Sequence, residues 1–285
     1  MPSRRPSPSV RLRRLSAQLR ELRESAGMTQ EDVSERTGKD RSTLYRLETA
    51  QQRPQKSTLM QLLDLYGVAE PRRSELLTLL REAGQRGWMQ PYRSELPEVY
   101  SDYIGFEDQA RAISNYESLF VPGLLQTEAY ARAQLRGTLP TASDGEIENR
   151  VAARMERQSI LLKDDAPKLW AIMDEAALRR LVGGRDVMQQ QISRLLEARS
   201  IPNVTIQVIP YGAGAHPGMD GSFVILDFPD PDDPSIVYVE SAAGGLFLEE
   251  DPEIRRYILM FEHLRAAASG LDATAALLEA IVSER

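Results

Sequence analysis

The sequence predicts an α+β protein. An all-α DNA-binding domain of five helices comes first, then a mixed α/β domain with a small sheet of about four strands. Three observations predict it. Residues 29–48, TQEDVSERTGKDRSTLYRLE, have the caps and the glycine turn of two short helices, the unit that sets one helix in the DNA major groove. Charge divides along the chain: residues 1–93 hold 18 Lys and Arg against 11 Asp and Glu, a net +7, although the whole protein is at −7. The rest, at −14, contains runs such as VTIQVI that suit buried strands. A basic first part can release counterions from phosphates, and an acidic second part repels DNA.

Taken in order, residues 1–9 read as a disordered, Pro-rich arm and residues 10–84 as the helical domain. A Leu- and Arg-rich helix spans 10–26, closed by Gly27. Thr29 caps the next helix, with Asp32 completing a capping box and Met28 and Val33 forming a hydrophobic staple. Gly38 makes the turn, and Asp40 caps a helix through Glu48. Leu44 and Leu47 point to a core. Ser42, Tyr45, Arg46 and Thr49 share the other face, whose donors, cation and ring suit base edges and phosphates. Ser57 caps a fourth helix with Leu59, Leu62, Leu63 and Tyr66 inside and Gly67 at its end. A fifth, over 74–83, closes the bundle with Leu76, Leu77, Leu79 and Leu80.

Residues 85–94 read as a connector, packed rather than free because it contains Trp88, Met89 and Tyr92. The second domain, 95–285, begins with an extended stretch over 114–121. Ser143 and Glu146 box a helix through Leu162. Strands follow at 168–173, 204–209, 222–228 and 236–241, with helices at 176–182 and 187–199 between the first two, which fits a parallel crossover. Asp251 caps a long helix with Ile254, Ile258, Phe261 and Leu264 inside, and 271–282 forms a last one.

Two resemblances join these readings. LRELRESAGMTQEDVSERTG followed by STLYRLE, within residues 11–80, resembles the lambda-repressor and Cro type of DNA-binding domain, the xenobiotic-response-element family. The resemblance implies that Gln30 touches a phosphate, that Arg41, Ser42, Thr43 and Arg46 face the bases, and that Arg23 and Glu48 form a structural ion pair. Where that family has a glycine, Thr49-Ala50-Gln51 stands here, so the recognition helix is expected to end less sharply or run longer. In the second domain, NYESLFVPGLLQTEAYARA and MDEAALRRLVGGRDVMQQQISRLLEARSIPNVTIQVIPYGAGAHPGMDGSFVILDFPD resemble the C-terminal domain of WhiJ-like regulators of actinobacteria. That resemblance implies a one-component transcriptional regulator, often paired with a small BldB-like protein in an antitoxin-like arrangement.

Little in the second domain suggests an enzyme. There is no Cys, His216 and His263 are far apart, and no G-x-S-x-G elbow is present. Glu249, Glu250 and Asp251 sit where a helix N-terminus favours acidic residues without catalysis. No spacing suits a metal, and no cofactor is implied; His263 reads as part of a packed helical face. In the Gly-rich stretch 211–221, the third glycine of a nucleotide loop is replaced by Pro217 and a strand follows, so no helix end awaits a phosphate. Tyr211, His216, Met219 and Phe223 instead suggest an adaptable lip for an effector or a partner, beside the plainer reading of a strand connection. The N-terminus has no apolar signal segment, and no run approaches the roughly 20 residues of a membrane helix, so a cytoplasmic protein is expected. The expectation is a homodimeric regulator that reads a double-stranded DNA operator and senses a small molecule or a small protein. The alternatives are an antitoxin-like protein that binds only a protein partner, and an enzyme with a DNA-binding domain.

Overall fold

The computed structural model describes residues 10–82, 96–230, 233–241 and 244–284. The expected arm, 1–9, and the connector, 85–94, lie outside the described residues. The chain divides into two compact units, 1–90 and 91–285.

Among the described residues the first unit contains five helices: α1 (Val10–Ser25), α2 (Gln30–Thr37), α3 (Arg41–Glu48), α4 (Lys56–Leu65) and α5 (Arg72–Glu82). Their leucines meet in one core of Leu15, Leu19, Val33, Leu44, Leu47, Leu59, Leu62, Leu63, Leu76 and Leu80. Met28 packs against the same cluster, as a staple requires. The α2 cap forms in full: the Thr29 side chain accepts from the Asp32 amide, and the Asp32 carboxylate accepts from the Thr29 amide at 2.8 Å. Gly38 stops the helix at φ 70°, a left-handed conformation that costs glycine little.

Three local expectations need correction. Asp40 stands at the N-cap of α3, but its side chain makes no cap hydrogen bond; its carbonyl accepts from Thr43 and Leu44 instead. The N-cap of α4 is Gln55, so Ser57 already lies inside that helix. The third concerns the end of α3, which neither frays nor lengthens. It stops at Glu48, and Ala50 itself adopts the left-handed conformation at φ 55°. An L-residue there costs about 1–2 kcal/mol relative to its ordinary conformation, and burial of the Ala50 methyl, 7% exposed, offsets part of it.

The second unit is built on six strands, not about four: β1 (Ala112–Glu117), β2 (Lys168–Asp174), β3 (Val204–Ile209), β4 (Phe223–Asp227), β5 (Ile236–Ser241) and β6 (Gly244–Leu248). They lie in the order β3-β2-β1-β4-β5-β6. The first three run parallel, and β4, β5 and β6 each pair antiparallel. The two additional strands have plain causes. The extended stretch at 114–121 is β1, which starts two residues earlier and ends four residues earlier. β6, GGLFL, lacks the alternation of a half-buried strand and opens on two glycines.

Among the described residues seven helices accompany this sheet: α6 (Glu98–Glu107), α7 (Glu128–Thr138), α8 (Asp144–Arg157), α9 (Glu175–Arg179), α10 (Arg185–Ala198), α11 (Asp251–Ala267) and α12 (Leu271–Ser283). α6 and α7 were not anticipated. α8 ends at Arg157 and tightens into a 3-10 turn over 158–162, so the predicted helix to Leu162 changes pitch midway. Ser143 caps it, but the Glu146 carboxylate accepts from Arg150 at 2.7 Å. α11 begins after Glu250, which takes the cap position expected of Asp251.

Strand alternation gives each sheet face its own cover. On one face Tyr116, Ile172, Phe223, Ile225 and Val237 pack under Ile254, Phe261 and Leu264 of α11. Ile258 is 41% exposed, outside that contact, and His263 is exposed rather than packed. On the other face Tyr103 of α6 stacks on Tyr238 of β5 at 4.3 Å, and Phe106 meets Phe247 of β6 edge-on at 5.1 Å. The two sheet edges differ. The outer edge of β3 is closed by the α11–α12 junction: the Ser269 amide donates to Val208 O at 2.9 Å, and the Thr274 hydroxyl accepts from the Val208 amide. Among the described residues β6 pairs with β5 alone.

Candidate nucleic-acid interface

The polar face of α3 is fixed by what its apolar face buries. Leu44 and Leu47 are each 2% exposed, so Arg41, Ser42 and Tyr45, all exposed, are turned outward. Tyr45 is 52% exposed, a large ring left in water on a short helix. The Arg46 guanidinium is partly drawn in and donates to the Thr43 hydroxyl at 3.0 Å, which orients it along the face. Arg41 reaches across to Glu31 of α2 at 3.3 Å, an exposed contact of small energetic worth. The six residues singled out on α2 and α3 therefore lie close together, although Thr43 and Arg46 are less free than Ser42 and Tyr45.

Beneath them, Glu48 is the hub. Its Oε1 accepts from Arg23 Nε at 2.6 Å, and its Oε2 accepts from Arg23 Nη2 at 3.1 Å and from Gln30 Nε2 at 2.8 Å. The Arg23 and Glu48 side chains are only 11% and 6% exposed. Arg23 also donates to Met28 O at 2.8 Å, tying the end of α1 to the entry of α2. The hydrogen bond to Glu48 raises the Arg23 guanidinium above its ordinary value. Burial, and then the Glu48 charge, push the Tyr66 hydroxyl up to about 12. Nothing in the sequence signals the link from Gln30 to Glu48. The two are 18 residues apart, and only folding shows that one carboxylate serves both α1 and α2.

The 211–221 stretch has regular local structure of its own. It folds into two short 3-10 turns, over 211–213 and 217–220. Tyr211 and Met219 are exposed, at 59% and 67%, but the other two candidates are not. The His216 side chain is 5% exposed, with Nε2 3.2 Å from Asp174 Oδ2 at the end of β2. Phe223 is 2% exposed in the α11 core. Gly218 lies flat on the Tyr116 ring, where a Cβ would come within 2.4 Å of ring carbons, so this turn tolerates no side chain. The four residues thus form no single site: two are surface and two are structure. Burial of His216 was invisible in sequence because its partner is 42 residues away.

Residues 14–76 match the model of a helix-turn-helix domain. Residues 100–280 match the model of a domain of unknown function, DUF5753. The chain belongs to the DUF5753 family. It is a DUF5753 protein with an N-terminal helix-turn-helix domain, the mark of a DNA-binding regulator. No curated protein and no solved structure matches the chain. Among the described residues no single helix is long and apolar enough to cross a membrane.

Proposed function

We propose that the protein is a sequence-specific transcriptional regulator of the lambda-repressor and Cro, or xenobiotic-response-element, type. It works in the cytoplasm as a homodimer on a double-stranded operator. The observation that carries this reading is the Glu48 hub. It locks Arg23 and Gln30 beneath a helix whose outer face offers Arg41, Ser42, Thr43, Tyr45 and Arg46. In this reading Arg46 and its neighbours address base edges and Gln30 addresses a phosphate. An eight-residue helix spans few base pairs, and two half-sites one helical turn apart supply the missing affinity.

The DUF5753 domain, WhiJ-like by resemblance, is in this reading the regulatory and dimerising part and has no catalytic role. Its two histidines support that: one is engaged with Asp174, the other stands alone on the surface of α11. The second reading is antitoxin-like control by a small BldB-like protein, without a metabolite. Half-exposed Tyr211 and Met219 favour it, because exposed apolar side chains on an ordered turn suit a protein surface. The test selects bound sequences from a random duplex pool with the full-length protein, then repeats binding with scrambled DNA at matched salt. Equal affinity for selected and scrambled duplexes would overturn sequence-specific regulation. A thermal shift with metabolite pools, against co-purification of a neighbouring small protein, separates the two modes of control.

A further inference from the structure

The two edges of the DUF5753 sheet have opposite fates. The β3 edge is closed by Ser269 and Thr274. The β6 edge is open: among the described residues Gly244–Leu248 pair as a strand only with β5, and the one side-chain bond given to their backbone is from the Ser241 hydroxyl to Gly244 O at 3.0 Å, at the strand's start. Open edges are normally blunted by charge, proline or a bulge, because their unpaired amides and carbonyls recruit another strand. β6 has none of these: GGLFL contains no charged residue and no proline, its ladder to β5 is regular over five rungs, and Leu246 is 53% exposed.

We propose that β6 pairs antiparallel with β6 of a second copy of this chain, joining two six-stranded sheets into one of twelve. This rests on the dimeric reading above and assigns its interface. Three observations favour a second copy over another strand. A two-fold pairing centred on Leu246 sets Gly244 against Leu248 and Gly245 against Phe247 of the other copy. Small residues thus meet large ones at every off-centre rung. The charges are also compatible. In that register the five rungs, Gly244 to Leu248, hold no charged residue, so no like charges are opposed within the pairing. Finally, with the β3 edge closed, β6 is the one open edge of each copy among the described residues. The pairing therefore closes on itself as a dimer and cannot propagate into a filament.

The chain has no cysteine, so single-cysteine variants report geometry cleanly. In an antiparallel pair, opposed Cα atoms lie about 4.5–5.5 Å apart, close enough to bridge. Full-length Leu246→Cys, treated with a mild oxidant, is expected to form a covalent dimer far faster than Leu259→Cys, an equally exposed control on α11. Sedimentation of the unmodified protein at micromolar concentration is expected to give the mass of a dimer. Leu246→Lys and Leu246→Glu are each expected to sediment as monomers with unchanged circular dichroism, and an equimolar mixture is expected to recover the dimer. A dimer without preferential cross-linking at 246 overturns the edge pairing and leaves the regulator reading standing. A monomeric wild-type mass, with and without operator, overturns the pairing and the homodimer together. If the charged variants misfold, the cross-linking comparison alone decides.

Discussion

Each domain is organised round one buried Arg–Glu pair, and the two pairs do different work. In the helix-turn-helix domain Glu48 serves Arg23 from one side and Gln30 from the other, so the carboxylate couples the core to the outward face. In the DUF5753 domain Arg157 of α8 meets Glu107 of α6 at 2.6 Å, with side chains 5% and 1% exposed. Tyr103 donates to Glu107 at 2.6 Å, Arg157 donates to the Tyr100 hydroxyl at 2.8 Å, and the guanidinium lies 5.2 Å from the Tyr103 ring centre. Gly123 leaves room for it: a Cβ there would stand 2.7 Å from Arg157 Nη2. Burial pushes the Glu107 carboxyl up from the carboxylate range, against the pull of Arg157 and the Tyr103 hydroxyl. The first pair transmits position to a surface; the second is enclosed by aromatic rings and pins α6 to α8. A buried ion pair is therefore no marker of function by itself. What it touches next decides.

The largest effect is expected from Arg157→Ala. It strands a fully buried carboxylate and should cost the second domain about 3–5 kcal/mol, read as the loss of its denaturant transition. The helix-turn-helix transition should stay in place; if both move together, the domains do not melt independently. Glu48→Gln is expected to cost about 2–3 kcal/mol, less because Arg23 keeps partial access to water, and it should weaken operator binding as well. Stability lost with binding intact would reduce Glu48 to the same structural role as Glu107. Arg46→Ala leaves both pairs intact and should change recognition only. A loss of about 1–3 kcal/mol of discrimination at one base pair is expected if it reads a guanine. Uniform weakening across sequences would reassign it to a phosphate.

Protons sharpen the contrast further. Burial pushes Glu117, at the end of β1, up to about 7, against hydrogen bonds from Ser222 and Asn115. A carboxyl that binds its proton more tightly when folded favours the folded state at low pH. Stability of the second domain should therefore fall, by on the order of 1–2 kcal/mol, as pH rises from about 4.5 towards 7, and then level off. Glu117→Gln should flatten that slope, and an unchanged slope would place its origin elsewhere. The first domain contains the opposite case: Thr29 holds Asp32 below its usual range, so that cap weakens only in acid, as pH falls through the lowered value. The smallest effect is expected from Ala50→Gly, which relieves the left-handed alanine but frees the unfolded chain and removes a buried methyl. A net gain below about 1 kcal/mol is expected, and a clear loss would mean that the methyl contact outweighs the strain.

Legibility in the sequence followed the range of the interactions. The α2 cap, the Gly38 turn and the Leu44–Leu47 stripe are set by residues within four positions of one another, and each appeared as read. The Arg23–Glu48 pair spans 25 residues and came from a family pattern, not from spacing. Nothing marked Arg157 and Glu107, which are 50 residues apart in a region with no such pattern. β6 was hidden by its glycines. Phe223 was misplaced because an aromatic residue beside a Gly-rich loop looks like a lip until the core that claims it is seen.

The strand order has a consequence for how the protein comes to be folded. Ala112 pairs with Asp227, 115 positions further along the chain, and the stretch between them holds four helices and two strands of the same domain. Closing so long a loop is slow, whereas the helical bundle assembles from near neighbours. After dilution from denaturant the helix-turn-helix domain should therefore be native while β1 still waits for β4. Through that interval both flanks of the nascent sheet stand open, and crowded chains can find one another before they find themselves.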